Sequence, residues 1–217
     1  MMSLLRSWFS GERPPPPEPA VEASAGEGLD DLREWLVREI AAGFSDPDEI
    51  VEAAGDVFEG QLDRDVVQAE AERMLPGLLA AHAREEATWP ETTDNDRLEA
   101  AFAELEDGGI VCRENFACCN NCGSAEIWAE VEAVNDIIPH VRGYVFYHMQ
   151  DTESAVEGGG IYLSYGAVAD TEDAPLAVAR DVVSTLRDHG LRVEWNGEIT
   201  RRIMVELDWK RRRRAAV

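Results

Sequence analysis

Apolar residues recur at spacings of three and four once the chain passes its first thirty positions. Leu29, Leu32, Leu36, Ile40 and Phe44 line one face and predict a helix beginning at Leu29. Ser45-Asp46-Pro47 breaks that helix and opens another, with Pro47 in the first turn and Asp48 and Glu49 near its positive end. Val67, Ala71, Met74, Leu78 and Leu79 predict a third over about 65–84, kinked or divided where Pro76-Gly77 interrupts it. The fourth is the best punctuated. Thr93 and Asp96 make a capping box, Leu98, Phe102 and Leu105 an apolar face, and Gly108 a stop.

After Gly109 the period changes to two. Residues 110–116 predict a strand, 124–135 a helix, and 143–149 a strand apolar on both faces, as a central strand is. A short helix or turn over 151–157 is closed by Gly158-Gly159-Gly160, and residues 161–165 read as a further strand. Asp173 is placed to cap a helix with Pro175 in its first turn, ending at Gly190. Leu191, Val193 and Trp195 alternate, Asn196-Gly197 turns, and Ile203, Val205 and Leu207 alternate on the return, which predicts a hairpin. The expected class is α+β: an N-terminal helical region, then a mixed or antiparallel sheet of four to five strands with helices mainly on one face. The chain divides into an apolar tip and Pro-rich leader (1–28), an acidic helical region (29–109), a sheet region (110–209) and a basic tail (210–217).

A chain of 217 residues suffices for one large domain or two small ones with a real core. The net charge of −24 disfavours nonspecific nucleic-acid binding, because affinity for a polyanion grows with the cations that neutralise phosphates. Residues 30–109 alone carry 23 acidic and 6 basic side chains, a surface suited to a basic protein partner. No apolar run has the length of a membrane span, and the first nine residues lack the core and cleavage site of a signal peptide. Both observations lead us to expect a cytoplasmic protein. Four cysteines, clustered rather than spread, do not form a secreted disulfide framework.

Three of those four lie within five positions, in Cys118-Cys119-Asn120-Asn121-Cys122-Gly123. As a metal site, Cys119-x-x-Cys122-Gly123 has the form of a zinc knuckle. Zinc takes four ligands in tetrahedral array, so Cys118, Cys119 and Cys122 need a completing donor, for which His148, Cys112 and His140 are the candidates. As a redox site, Cys119 and Cys122 stand just before a helix, whose N-terminus favours a thiolate. The order of strands and helices differs from a thioredoxin-like fold. Inert packing is the third reading, since buried cysteine behaves as a small apolar residue. His148, at a strand end before Gln150-Asp151-Thr152, is either a ligand, a base oriented by Asp151, or a histidine bonded to nearby backbone with Asp151 capping the next helix. Glu126 reads as an N-terminal helix stabiliser, and Tyr144, Phe146 and Trp195 as core or as an aromatic ligand face. The triple glycine precedes a strand rather than a helix, the lone lysine is Lys210, and neither Gly-x-Ser-x-Gly nor His-Glu-x-x-His occurs.

Taken together, Asp96-Arg97-Leu98, Gly109-Ile110-Val111, the Cys118-Cys119-x-x-Cys122-Gly123 turn and Gly143-Tyr144-Val145-Phe146-Tyr147-His148-x-Gln150-Asp151-Thr152-Glu153 resemble an uncharacterised bacterial domain-of-unknown-function family. The resemblance runs from about Leu29 to Trp209 and implies domain limits, with no activity to carry over. The functional expectation is a non-enzymatic binding or regulatory protein with a structural zinc or thiol turn. A thiol-dependent oxidoreductase or redox sensor using Cys119 and Cys122 is the alternative.

Overall fold

Local signals set most helix starts. In the computed structural model, which describes residues 25–137 and 140–213, helix α1 spans Ala25–Ala42 and α2 Pro47–Val57. Asp46 caps α2 with a complete capping box, its side chain accepting from the Asp48 and Glu49 N–H groups while Glu49 reaches back. The apolar tip and most of the Pro-rich leader lie outside the described residues, as does the end of the basic tail. Helix α3, Arg64–Glu86, runs through Pro76 without dividing. Pro76 and Glu72, whose carbonyl it leaves without a helical donor, both face solvent. Helix α4, Asp94–Asp107, starts at the Thr93–Asp96 capping box, as the sequence predicts.

Helices α1–α3 close on their own core of Leu32, Leu36, Ile40, Ile50, Phe58, Val67 and Leu75. Helix α4, although continuous with them in sequence, turns Leu98, Phe102 and Leu105 into the core under the sheet. Packing therefore changes hands between α3 and α4, ahead of the change in hydrophobic period.

The sheet has five strands: β1 Ile110–Arg113, β2 Gly143–Phe146, β3 Ile161–Ala167, β4 Arg192–Glu194 and β5 Ile203–Glu206. Their spatial order is β1-β2-β3-β5-β4, with β1 and β2 parallel and every other pair antiparallel. The parallel pair is joined by α5, Asn120–Ile137, whose Val131 meets Val111 and Val141 on one face of the sheet. On the other face α4 and α7, Ala174–Asp188, cover Ile110, Val145, Ile161, Leu163, Ile203 and Val205. Asp173 precedes α7 with helical backbone and makes no side-chain cap. A short helix α6, Met149–Val156, follows β2. The architecture is α+β, with one well-covered face. Among the described residues, no helix is long and apolar enough to cross a membrane.

The last described residues tie the two cores together. Trp209 packs on Phe44 and Tyr147 and donates its indole N–H to Ala41 O at 2.9 Å. Arg211 lies over the Phe44 ring and pairs with Glu114 at 2.6 Å and Glu99 at 3.0 Å. Arg213 donates to Ile40 O and Ser45 O. The basic stretch, over Lys210–Arg213, is thus an anchored strap whose cations meet acidic side chains and backbone carbonyls.

Candidate metal centre

Parallel strands β1 and β2 end side by side, and the chain leaves both into helix starts. Strand β1 stops at Arg113, earlier than the alternation implies, because Asn115 and Ala117 take left-handed backbone angles (φ 50° and 58°). A non-glycine residue in that region costs about 1–2 kcal/mol. The loop holds it with bonds across to the β2 exit: Phe116 N–H to Tyr147 O at 2.8 Å, and Met149 N–H to Ala117 O at 3.1 Å. Two side-chain bonds add to these, Thr152 Oγ1 to Asn115 Oδ1 at 2.8 Å and Ser164 Oγ to Asn120 Oδ1 at 2.5 Å.

This loop brings Cys118, Cys119 and Cys122 together. Helix α5 starts four residues earlier than the periodicity indicates, so Cys122 belongs to its first turn. Cys119 is the cap residue, its carbonyl accepting the Gly123 N–H at 2.9 Å. The three sulfurs lie within 4.8 Å of one another, and Cys118 Sγ is 3.4 Å from Cys122 Sγ. Cys118 is exposed and the other two are half-buried.

The helix start divides the thiols electrically. The backbone N–H of Cys122, its thiol, and the backbone N–H of Asn121 hold the Cys119 thiol below the usual cysteine range. Cys122 is pushed up to about 11 by the hydrogen bonds and charges of Cys118 and Cys119, since sulfurs this close resist carrying charge together. A cation among them would remove that repulsion.

Packing requires a glycine at position 123. A Cβ there would sit 2.5 Å from Cε2 of the fully buried Phe146, so glycine lets the first turn of α5 rest on that ring. Phe146 in turn meets Phe116 edge-on. The glycine thus fixes the helix start, and with it the position of the sulfurs.

None of the remaining candidates joins the three-sulfur group. Cys112 is buried in the core beneath α4, its Sγ directed to Ile110 O at 3.4 Å, and burial drives its thiol far above the ordinary value. His140 stands beside Gly109, ahead of β1, at the opposite end of the parallel pair. His148 caps α6: its Nδ1 accepts the Asp151 N–H at 3.3 Å, and Asp151 accepts the His148 N–H at 3.1 Å. Its Nε2 lies 3.2 Å from Asp151 Oδ2, and burial holds the ring's pKa below the usual histidine value. The group of three sulfurs does not include it. Glu126 lies in α5, and Tyr144 and Phe146 stack under the same helix, on the opposite side of the sheet from Trp195.

Sequence reading misses Arg202. It grips Asp151 with both terminal guanidinium nitrogens, at 3.2 and 2.5 Å, and also donates to Tyr162 O. Fifty-one positions separate the pair, and no local pattern marks an arginine just before a strand as its partner. The His148-x-x-Asp151 motif is accordingly an anchor: it fixes α6 to β3 and β5 behind the cysteine loop.

No curated protein matches the chain, and no solved structure does. The model of one family, described as Domain of unknown function (DUF6891), matches residues 26–213, which takes in the arginine strap up to Arg213. By that match over most of its length, the chain belongs to the DUF6891 domain-of-unknown-function family.

Proposed function

We propose that this is a non-enzymatic binding or regulatory protein of the cytoplasm, in which Cys118, Cys119 and Cys122 hold a metal ion. The observation that carries the reading is the convergence of three sulfurs within 4.8 Å at the start of α5. Soft thiolates favour zinc and other thiophilic metals. Three of them on one ion donate enough charge to weaken its action on a bound water, which fits a docking or structural centre better than a hydrolytic one. The acidic surface, at a net charge of −24, suits a basic protein partner.

The test is elemental analysis of the full chain purified without added metal, with free thiols counted before and after chelation. One zinc per chain and three thiols released by the chelator are expected. Sub-stoichiometric metal with those three thiols freely titratable from the outset would end the proposal.

The opposed shifts at Cys119 and Cys122 favour a second reading, thiol–disulfide exchange. The Cys119 thiolate would attack an external disulfide, releasing one thiolate and leaving a mixed disulfide. Cys122, after losing its proton, would then attack Cys119 sulfur and release the second thiolate, so that two protein thiols are oxidised and one disulfide reduced. A reversible Cys119–Cys122 disulfide in metal-free protein, found by mass mapping after treatment with oxidised glutathione, is its signature.

A further inference from the structure

Three sulfurs leave a zinc ion one position short. The chain has four cysteines and four histidines, and the remaining five of these eight lie outside the sulfur group. Cys112 is buried in the core beneath α4. His148 is buried and held by Asp151. His189 pairs with Glu104 at 2.9 Å, His82 packs edge-on against Trp89 in the helical core's flank, and His140 stands at the far end of the parallel strands. Among the described residues no carboxylate joins the sulfur group either. The side of the cluster marked by Cys118 is open to solvent.

Charge decides what can enter. Three thiolates around a divalent cation already carry a net negative charge, in a protein of net charge −24. The guanidinium of Arg202 is paired with Asp151. A fourth thiolate would add a further charge to this field, whereas imidazole is neutral and is a better zinc ligand than water. Resting on the metal reading above, we propose that the fourth position is an acceptor for an imidazole side chain of a second molecule, a histidine within a basic segment. The acidic surface draws that segment in, and the zinc ties its histidine.

The full chain loaded with Co(II) in place of zinc reports the coordination sphere by visible absorption, and its metal content is measured first. Failure to hold either metal overturns the metal reading and this proposal together. With metal bound, imidazole is titrated alone, 2-mercaptoethanol in a parallel series, and a lysine-rich peptide bearing one histidine beside its His→Ala counterpart. The expected result is a saturable spectral change with imidazole at constant cobalt content. The histidine peptide should reach the same change at about tenfold lower concentration, and its alanine counterpart should give none. A change with the thiol but not with imidazole overturns the proposal in favour of a thiolate donor. No change with any probe, at full metal occupancy, overturns it while the three-thiolate centre stands.

Discussion

Replacing Asp151 by alanine tests the anchor behind the cysteine loop. The carboxylate is 4% exposed and takes four hydrogen bonds, from the His148 and Tyr162 N–H groups and from two nitrogens of Arg202. Truncation leaves Arg202 facing a hole where its counter-ion stood. Breaking a buried ion pair from one side costs roughly 3–5 kcal/mol. The Arg202 side chain is 28% exposed, so water softens the loss toward the lower end. The severed capping box adds about 1 kcal/mol. The sum, roughly 4 kcal/mol, is a large part of a typical domain's stability of about 5–15 kcal/mol. Urea denaturation followed by far-UV circular dichroism should show D151A with a much lower midpoint and an unchanged slope. R202M alone should destabilise similarly. The double variant D151A/R202M should lose much less than the sum of the singles, because no orphaned charge remains. A D151A loss under about 1 kcal/mol, or strictly additive singles, would refute the argument that one desolvated pair holds α6 to β3 and β5.

Other tests address neighbouring features. Gly123→Ala adds a Cβ 2.5 Å from the Phe146 ring, an overpacking of about 1–3 kcal/mol against a helix-propensity gain near 1 kcal/mol; urea midpoints should show a net loss, and F146L in the same chain should reverse it. In metal-free protein, iodoacetamide mapping by mass spectrometry should label Cys119 first as pH rises, Cys122 only toward pH 11, and Cys112 only after unfolding. Histidine 148 is held neutral by burial, so its cap contributes fully above the ordinary histidine pKa of about 6.5 and is lost as pH falls through the depressed folded value. Wild type should therefore lose stability as pH falls below about 6.5, and H148N, which caps without titrating, should lose less. W209A removes the ring wedged between Phe44 and Tyr147, and calorimetry should show a loss of about 2–3 kcal/mol with earlier melting of the helical core.

Much of the fold is legible locally. Capping boxes at Asp46 and Thr93, Pro47 and Pro175 at helix starts, and clean alternation in β5 are effects of neighbours three or four positions apart. Where local reading slips, a distant partner has intervened. Periodicity starts α5 at Ser124, yet the helix begins at Asn120, because Asn120 is bonded by Ser164 and the first turn lies on Phe146. The apolar run through 147–149 resembles strand, but His148 and Asp151 cap one another and end it. The three sulfurs were visible as a cluster, whereas the candidacy of Cys112, His140 and His148 could be judged only once the sheet assigned each a side or an end.

The sequence alone determined the element types, the grouping of Cys118, Cys119 and Cys122 in one turn and the acidic character, because the first two depend on neighbours within a few residues and the last on composition. Tertiary structure decided which face of the sheet α4 covers, that Arg202 answers Asp151 across 51 positions, and that Lys210–Arg213 bind back across the molecule. Those choices come from burying apolar area and pairing desolvated charge between segments far apart along the chain, where hydrophobic periodicity carries no information.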